Sequence, residues 1–352
     1  MHCLIRSSCW AACVLLSAAV GLASQQGEGA QPQVAAAPRA TSEASGWPVP
    51  RGIHDPLIAP AANLLTATKV ALGRKLFFST SLSRTSDVSC ATCHDPARAF
   101  SDARTIAVGI GGRTGTRHSP ALVNRGFGES FFWDGRAASL EDQVVMPIAD
   151  PNEMDFSVAG AVTRLQRDPM WAKDFAAAFG RPMNARDLGY ALASFVRSIV
   201  SGDSRVDRYL DGDGTALSAT EVRGLRVFRS AGLCTSCHKG GNFTDESFHN
   251  TGVAWVPDKS ALGGRLADRG RAGVTKRPED EGAFRTPTLR EISRTAPYMH
   301  DGSLPTLEAV VDFYELGGRA NPNLDPDLMP LRLTAADKAA LVAFLKALDG
   351  SR

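Results

Sequence analysis

Two short segments of this chain repeat one pattern: Cys90-Ala91-Thr92-Cys93-His94 and Cys234-Thr235-Ser236-Cys237-His238. On a helical turn, residues three apart share a face. Two thiols so placed can add to the two vinyl groups of one porphyrin while the adjacent imidazole faces the iron. Cys-x-x-Cys-His is the attachment signature of c-type haem, so the chain is expected to carry two covalently bound haem c groups. Other uses of paired thiols fit less well. A thioredoxin-like pair needs a βαβ setting that the sequence lacks. A zinc site built from both pairs would leave both histidines without a role. A disulfide within such tight spacing would be strained.

The 352-residue chain contains seven cysteines. Cys3, Cys9 and Cys13 lie in an apolar run after Arg6 that is short for a membrane span and ends in Gly21-Leu22-Ala23. Residues 1–23 therefore read as a signal peptide, cleaved near Ala23 or Ser24, which leaves no stable membrane insertion and places the mature protein in the periplasm. An uncleaved anchor helix is the alternative. Residues 24–50 are rich in Ala, Gln, Gly, Ser and Pro and read as a flexible linker. A net charge of +2 without a basic tract excludes nucleic acid as a natural partner.

Helical periods dominate from about Pro56 onward. Thr66 precedes a helix with Val70, Leu72, Leu76 and Phe77 on one face, and Leu188, Leu192, Phe195 and Ile199 share a face of another that should run to Gly202. The turn at Asp211 lacks the glutamate that a calcium loop needs at its twelfth position and reads as a hinge. Ser218 and Glu221 have capping-box spacing. Thr334 caps a last helix with Leu341, Phe344, Leu345 and Leu348 inward. Strand patterns are scarce, so the fold class is mainly α with long loops; the run from Gly252 to Thr288 should wrap something bulky or form an interface.

An iron with two strong ligands passes electrons, whereas one with an open face binds oxygen species. What lies opposite each histidine therefore decides the function. Here the segments LGRKLFF, SCATCHDPARAFSD, SPALVN, FFWDGRAASLEDQ, FTDESFHNTGV and FRTPTLREISRTAPYMHDGSLPTLEAVVDFY resemble the bacterial dihaem cytochrome c peroxidase family, with features of its tyrosine-ligated MauG-type branch. The resemblance implies two cytochrome c-like haem domains: an N-terminal peroxidatic one over 51–215 and a C-terminal electron-transfer one over 216–352. It implies Trp133 as a relay between the haems, though from sequence alone a core aromatic would read the same way. It also implies Gln143 and Glu153 in the distal pocket, with Glu153 moving the protons of peroxide; on its own that glutamate would be assigned to a solvated helix start.

At three positions the chain departs from the family pattern. Ile110 stands where many members have a removable distal histidine, which implies a first haem ready for peroxide; His118 could substitute through a shifted loop, or be a polar residue beneath the haem edge. His118 replaces an asparagine that ligates calcium alongside the carbonyls of Thr295 and Pro297, so calcium is an open expectation. Tyr314 falls where ordinary members place methionine, which implies phenolate ligation of the second iron, with Met299 or Met329 as alternatives. The expected function is reduction of hydrogen peroxide with electrons from a small cytochrome c or cupredoxin. The alternatives are a MauG-like oxidase acting on a protein substrate and a plain dihaem electron carrier.

Overall fold

The computed structural model of the protein describes residues 47–258 and 263–350 and the backbone of a strand at Thr41–Ser42. The expected signal peptide and most of the linker lie outside the described residues. In the first half the helices are α1 (Ala67–Phe78), α2 (Leu140–Gln143), α3 (Met146–Ala149), α4 (Val158–Gln166), α5 (Pro169–Phe179) and α6 (Ala185–Arg197). The second half holds α7 (Arg205–Leu210), α8 (Ala219–Arg229), α9 (Ala272–Thr275), α10 (Leu307–Glu315) and α11 (Ala335–Lys346). Among the described residues the strands form three antiparallel pairs of two or three residues each. The protein is thus helix-rich with few strands, as its apolar spacing predicts.

Each half is organised by one close helix crossing. On α1, a Cβ at Gly73 would stand 1.9 Å from the Ala191 carbonyl of α6; on α8, one at Gly224 would stand 2.0 Å from the Ala340 carbonyl of α11. Only glycine lets the backbones approach so far. In both halves the Cys-x-x-Cys-His segment follows the glycine-bearing helix. The apolar interior is correspondingly divided: one cluster gathers residues from Leu72 to Ile199, another from Val206 to Leu348.

Several boundaries differ from expectation. α6 ends at Arg197 rather than Gly202. Asn124 takes over the following peptide groups: its backbone N–H donates to Ile199 O, its side chain donates to Ser201 O, and its Oδ1 accepts from Ser201 N. Ordered packing begins before Pro56, because Trp47 and Val49 pack on Leu57, Ala59 and Leu65. The turn at Asp211 follows α7, a six-residue helix too short for its period to register, opened by a Ser204/Asp207 capping box.

Arg290, through Gly52, and Arg117, through Asp268, tie the halves together. The fully buried Arg290 donates to both oxygens of Asp207 at 2.5 and 2.8 Å and to the carbonyls of Gly52 and Gly241. Arg117 bridges Asp134 and Asp268 at 2.6 and 2.7 Å.

Candidate haem sites and distal pocket

Both motifs adopt the same local structure. Cys90–Thr92 and Cys234–Ser236 are single 3-10 turns. Each is closed by a bond from the histidine N–H to the first cysteine's carbonyl, 3.0 Å for His94 and 2.9 Å for His238. The Nδ1 of His94 lies 2.9 Å from Phe100 O, and that of His238 lies 2.9 Å from Phe243 O. A carbonyl can only accept, so Nδ1 carries the proton and Nε2 keeps its lone pair. Burial holds both imidazoles below their ordinary pKa, which keeps them neutral. All four cysteines are free thiols, and burial pushes Cys90 and Cys234 up to about 12. Paired thiols beside imidazoles whose Nε2 lone pairs are kept free suit thioether attachment and axial ligation of haem.

Cys237, Asp245 and His249 also converge closely enough to hold a cation. Yet His249 sits between carboxylates, with Nδ1 2.6 Å from Asp325 and Nε2 3.1 Å from Asp245. Both of its ring nitrogens are thus already engaged by carboxylates.

Around the first motif lies a cavity of about 480 Å³, lined by Cys90, Cys93 and His94 and also by Trp133, Gln143 and Glu153. Residues from distant parts of the sequence thus share one chamber. Gln143 ends α2, which Ser139 starts by accepting from Asp142 N. Glu153 follows the Asp150 turn, its N–H on Asp150 O and its carbonyl on Ile110 N at 2.8 Å. Burial, then the charge of Asp150, drives Glu153 up to about 7, against the opposing pull of Arg136. Trp133 is buried; its Nε1 donates to His118 O at 2.8 Å, and its own carbonyl accepts from Arg285 N at 2.9 Å.

Ile110 is 1% exposed, packs into the first apolar cluster and is not among the residues that line the cavity. His118 is buried with Nδ1 2.9 Å from Arg104 O and Nε2 3.2 Å from Ser101 Oγ. Both of its ring nitrogens are thus engaged in hydrogen bonds. Thr295 is buried ahead of the Ala296–Pro297 peptide, which is cis. Near the second motif, burial and then the thiols of Cys237 and Cys234 hold the Tyr314 phenol, on α10, well above its ordinary pKa. Met329 is 51% exposed, while Met299 lies in the turn before Gly302.

Sequence reading missed the charged lining of the cavity. Arg125, Asp134, Arg136 and Arg285 all border it. No spacing marks them, because they come from a 3-10 turn at Arg125, the loop of Asp134 and Arg136, and the strand that ends at Arg285, which only the fold brings together.

Two Cys-x-x-Cys-His turns, each with a histidine held for axial ligation, in a helix-rich chain define the class of dihaem cytochromes c. Residues 67–215 match the family described as "Di-haem cytochrome c peroxidase". The chain is 43% identical over 291 residues to methylamine utilization protein MauG of Methylorubrum extorquens, covering 82% of this chain and 80% of that one. It is 35% identical over 284 residues to cytochrome c551 peroxidase of Pseudomonas aeruginosa, covering 80% and 78%. In structure it is similar to a MauG-like protein associated with microbial copper homeostasis, with a TM-score of 0.80 and 35% identity, covering 87% of this chain and 96% of that one. The chain belongs to the dihaem cytochrome c peroxidase and MauG family, a family of peroxidase-type oxidoreductases. Among the described residues no helix is long and apolar enough to cross a membrane.

Proposed function

We propose that this protein is an exported, periplasmic dihaem peroxidase that reduces hydrogen peroxide at the N-terminal site (51–215) with electrons relayed from the C-terminal site (216–352). Cys90, Cys93 and His94 would hold one haem c, and Cys234, Cys237, His238 and Tyr314 the other. Bound there, the haems supply iron centres able to react with peroxide and to pass single electrons.

The protein's own part is proton handling and electron positioning. Glu153, lifted to about 7, can accept a proton from incoming peroxide and return it to the departing oxygen near neutral pH. Gln143 offers an amide to orient the peroxide in the same chamber. Trp133 touches both halves through its two hydrogen bonds and is the relay residue. Tyr314 offers a phenolate, a hard anionic donor that favours higher oxidation states. The single observation that carries this reading is the shared cavity of His94, Trp133, Gln143 and Glu153.

A second reading, oxidation of a protein partner, is favoured by Tyr314 and by the similarity to MauG of Methylorubrum extorquens. A small cytochrome c or cupredoxin supplied as donor separates the two, since only the peroxidase sustains turnover with it. The main test is electron paramagnetic resonance of the ferric holoprotein before and after rapid mixing with peroxide. One signal from an iron with an open face, lost on mixing, is expected. Two six-coordinate low-spin signals indifferent to peroxide would make the protein an electron carrier and end the proposal.

A further inference from the structure

The cavity wall holds an uneven group of charges. Arg125 and Arg285, 5% and 3% exposed, both line the chamber of His94. They share one carboxylate, Glu246, at 2.8 Å from Arg125 Nη1 and 3.2 Å from Arg285 Nη1. Arg125 also donates from Nη2 to the second Glu246 oxygen at 3.2 Å and to Ser130 O at 2.7 Å, and its guanidinium lies over the face of Phe131. Arg285 reaches Thr286 O through Nη1 and Phe132 O through Nε, and its Nη2 has no hydrogen-bond partner among the described residues.

Two guanidinium groups on one carboxylate leave a surplus positive charge in a desolvated wall. Such a charge is costly unless an anion meets it. The cost is visible at Arg285, which burial and then Arg125 drive down to about 9. A cavity-lining arginine with one fork nitrogen that no described residue bonds is suited by charge and by planar geometry to receive a carboxylate.

We infer that Arg285, backed by Arg125 and Glu246, is a carboxylate anchor that grips a propionate of the tetrapyrrole held by Cys90, Cys93 and His94. The inference rests on the proposed haem reading and adds the residue that fixes the far edge of that group. Because Arg285 also donates its backbone N–H to Trp133, the anchor sets the cofactor edge and the relay indole from one residue of the second half.

The test compares Arg285→Leu and Arg285→Lys with the unaltered holoprotein by resonance Raman spectroscopy, after the mass of each has been measured for covalent haem. Intact mass first reports whether two haems are attached; a wild-type mass without them would remove the proposed function and this inference together. With both attached, the propionate bending bands of one haem should shift toward weaker hydrogen bonding in Arg285→Leu, and by less in Arg285→Lys, which keeps the charge but loses the fork. Glu246→Gln, which leaves the surplus charge larger, should raise the reduction potential of that haem, and Arg285→Leu should lower it. A control, Arg205→Leu, removes a cation paired with Glu221 and 45% exposed, and should leave bands and potential unchanged. Propionate bands that do not move in either Arg285 variant, with both haems present, overturn the anchor. If Arg285→Leu fails to accumulate, the Arg285→Lys bands alone decide it in the same way.

Discussion

Gly109 lies against the loop of Glu153 so closely that a Cβ there would stand 2.2 Å from Asn152 O and 2.5 Å from Glu153 O. Its φ of −102° is ordinary, so contact rather than backbone freedom demands glycine. Gly109→Ala must push the Glu153 loop away. Overpacking of this kind costs ~1–3 kcal/mol. Thermal melts should show that loss with the fold retained, and kcat/KM for peroxide should fall by more than the melting shift explains. Unchanged kcat/KM would mean that the position of the Glu153 loop does not matter to turnover.

Glu153 should write itself into the pH profile. Its carboxyl is raised to about 7, so the proton-accepting carboxylate disappears as pH falls through 7. Peroxide turnover is therefore expected to rise with pH across that value. Glu153→Gln should remove this limb and lower kcat by roughly 10²–10⁴, the usual share of a positioned general base. For stability the sign is opposite. A carboxyl raised in the folded state favours folding below its unfolded pKa near 4.5, and that contribution is lost as pH rises through 7.

Removing the thiols of one motif tests the cofactor count directly. Cys90→Ala with Cys93→Ala should yield protein carrying one covalent haem by mass, and likewise Cys234→Ala with Cys237→Ala. Loss of both haems in either double variant would show that the sites do not load independently.

Tyr314→Met replaces a hard anionic oxygen by a soft neutral sulfur. The second haem should then titrate at a higher potential, with its ferric state less favoured. A spectroelectrochemical titration that superimposes on the wild type would remove Tyr314 from the coordination sphere.

Asp207 and Arg290 form a buried pair within the second half. Asp207→Ala would strand a buried guanidinium and should cost ~3–5 kcal/mol, measured by denaturant unfolding. Burial opposes ionisation of Asp207, but Arg290 prevails and holds its pKa below the ordinary value. Its stabilisation is therefore present above the unfolded pKa near 3.8 and fades as acid protonates it. The wild type should lose stability in that acid window, and Asp207→Ala should lose less.

The sequence exposed what depends on neighbours in the chain. Cys90 to His94 and Cys234 to His238 are five-residue units, and their shared turn follows from spacing alone. Thr334 and Ser218 betray their helices because a cap acts within one turn. The end of α6 was hidden, since Asn124, seventy-five positions upstream, claims the peptide groups beyond Arg197. The receptor made by Arg125, Glu246 and Arg285 was equally hidden: each is one more charged residue until folding removes the water around it. Trp133 was located by resemblance, yet its two hydrogen bonds belong to contacts that no local pattern records.

Those two bonds bear on how an indole could carry current. Electron tunnelling is slowed when the surrounding dipoles must rearrange each time a charge arrives or leaves, and water rearranges most. Trp133 is shielded from solvent and fastened at its ring nitrogen and at its backbone oxygen to opposite halves of the protein. A charge passing through it would meet dipoles already fixed in place.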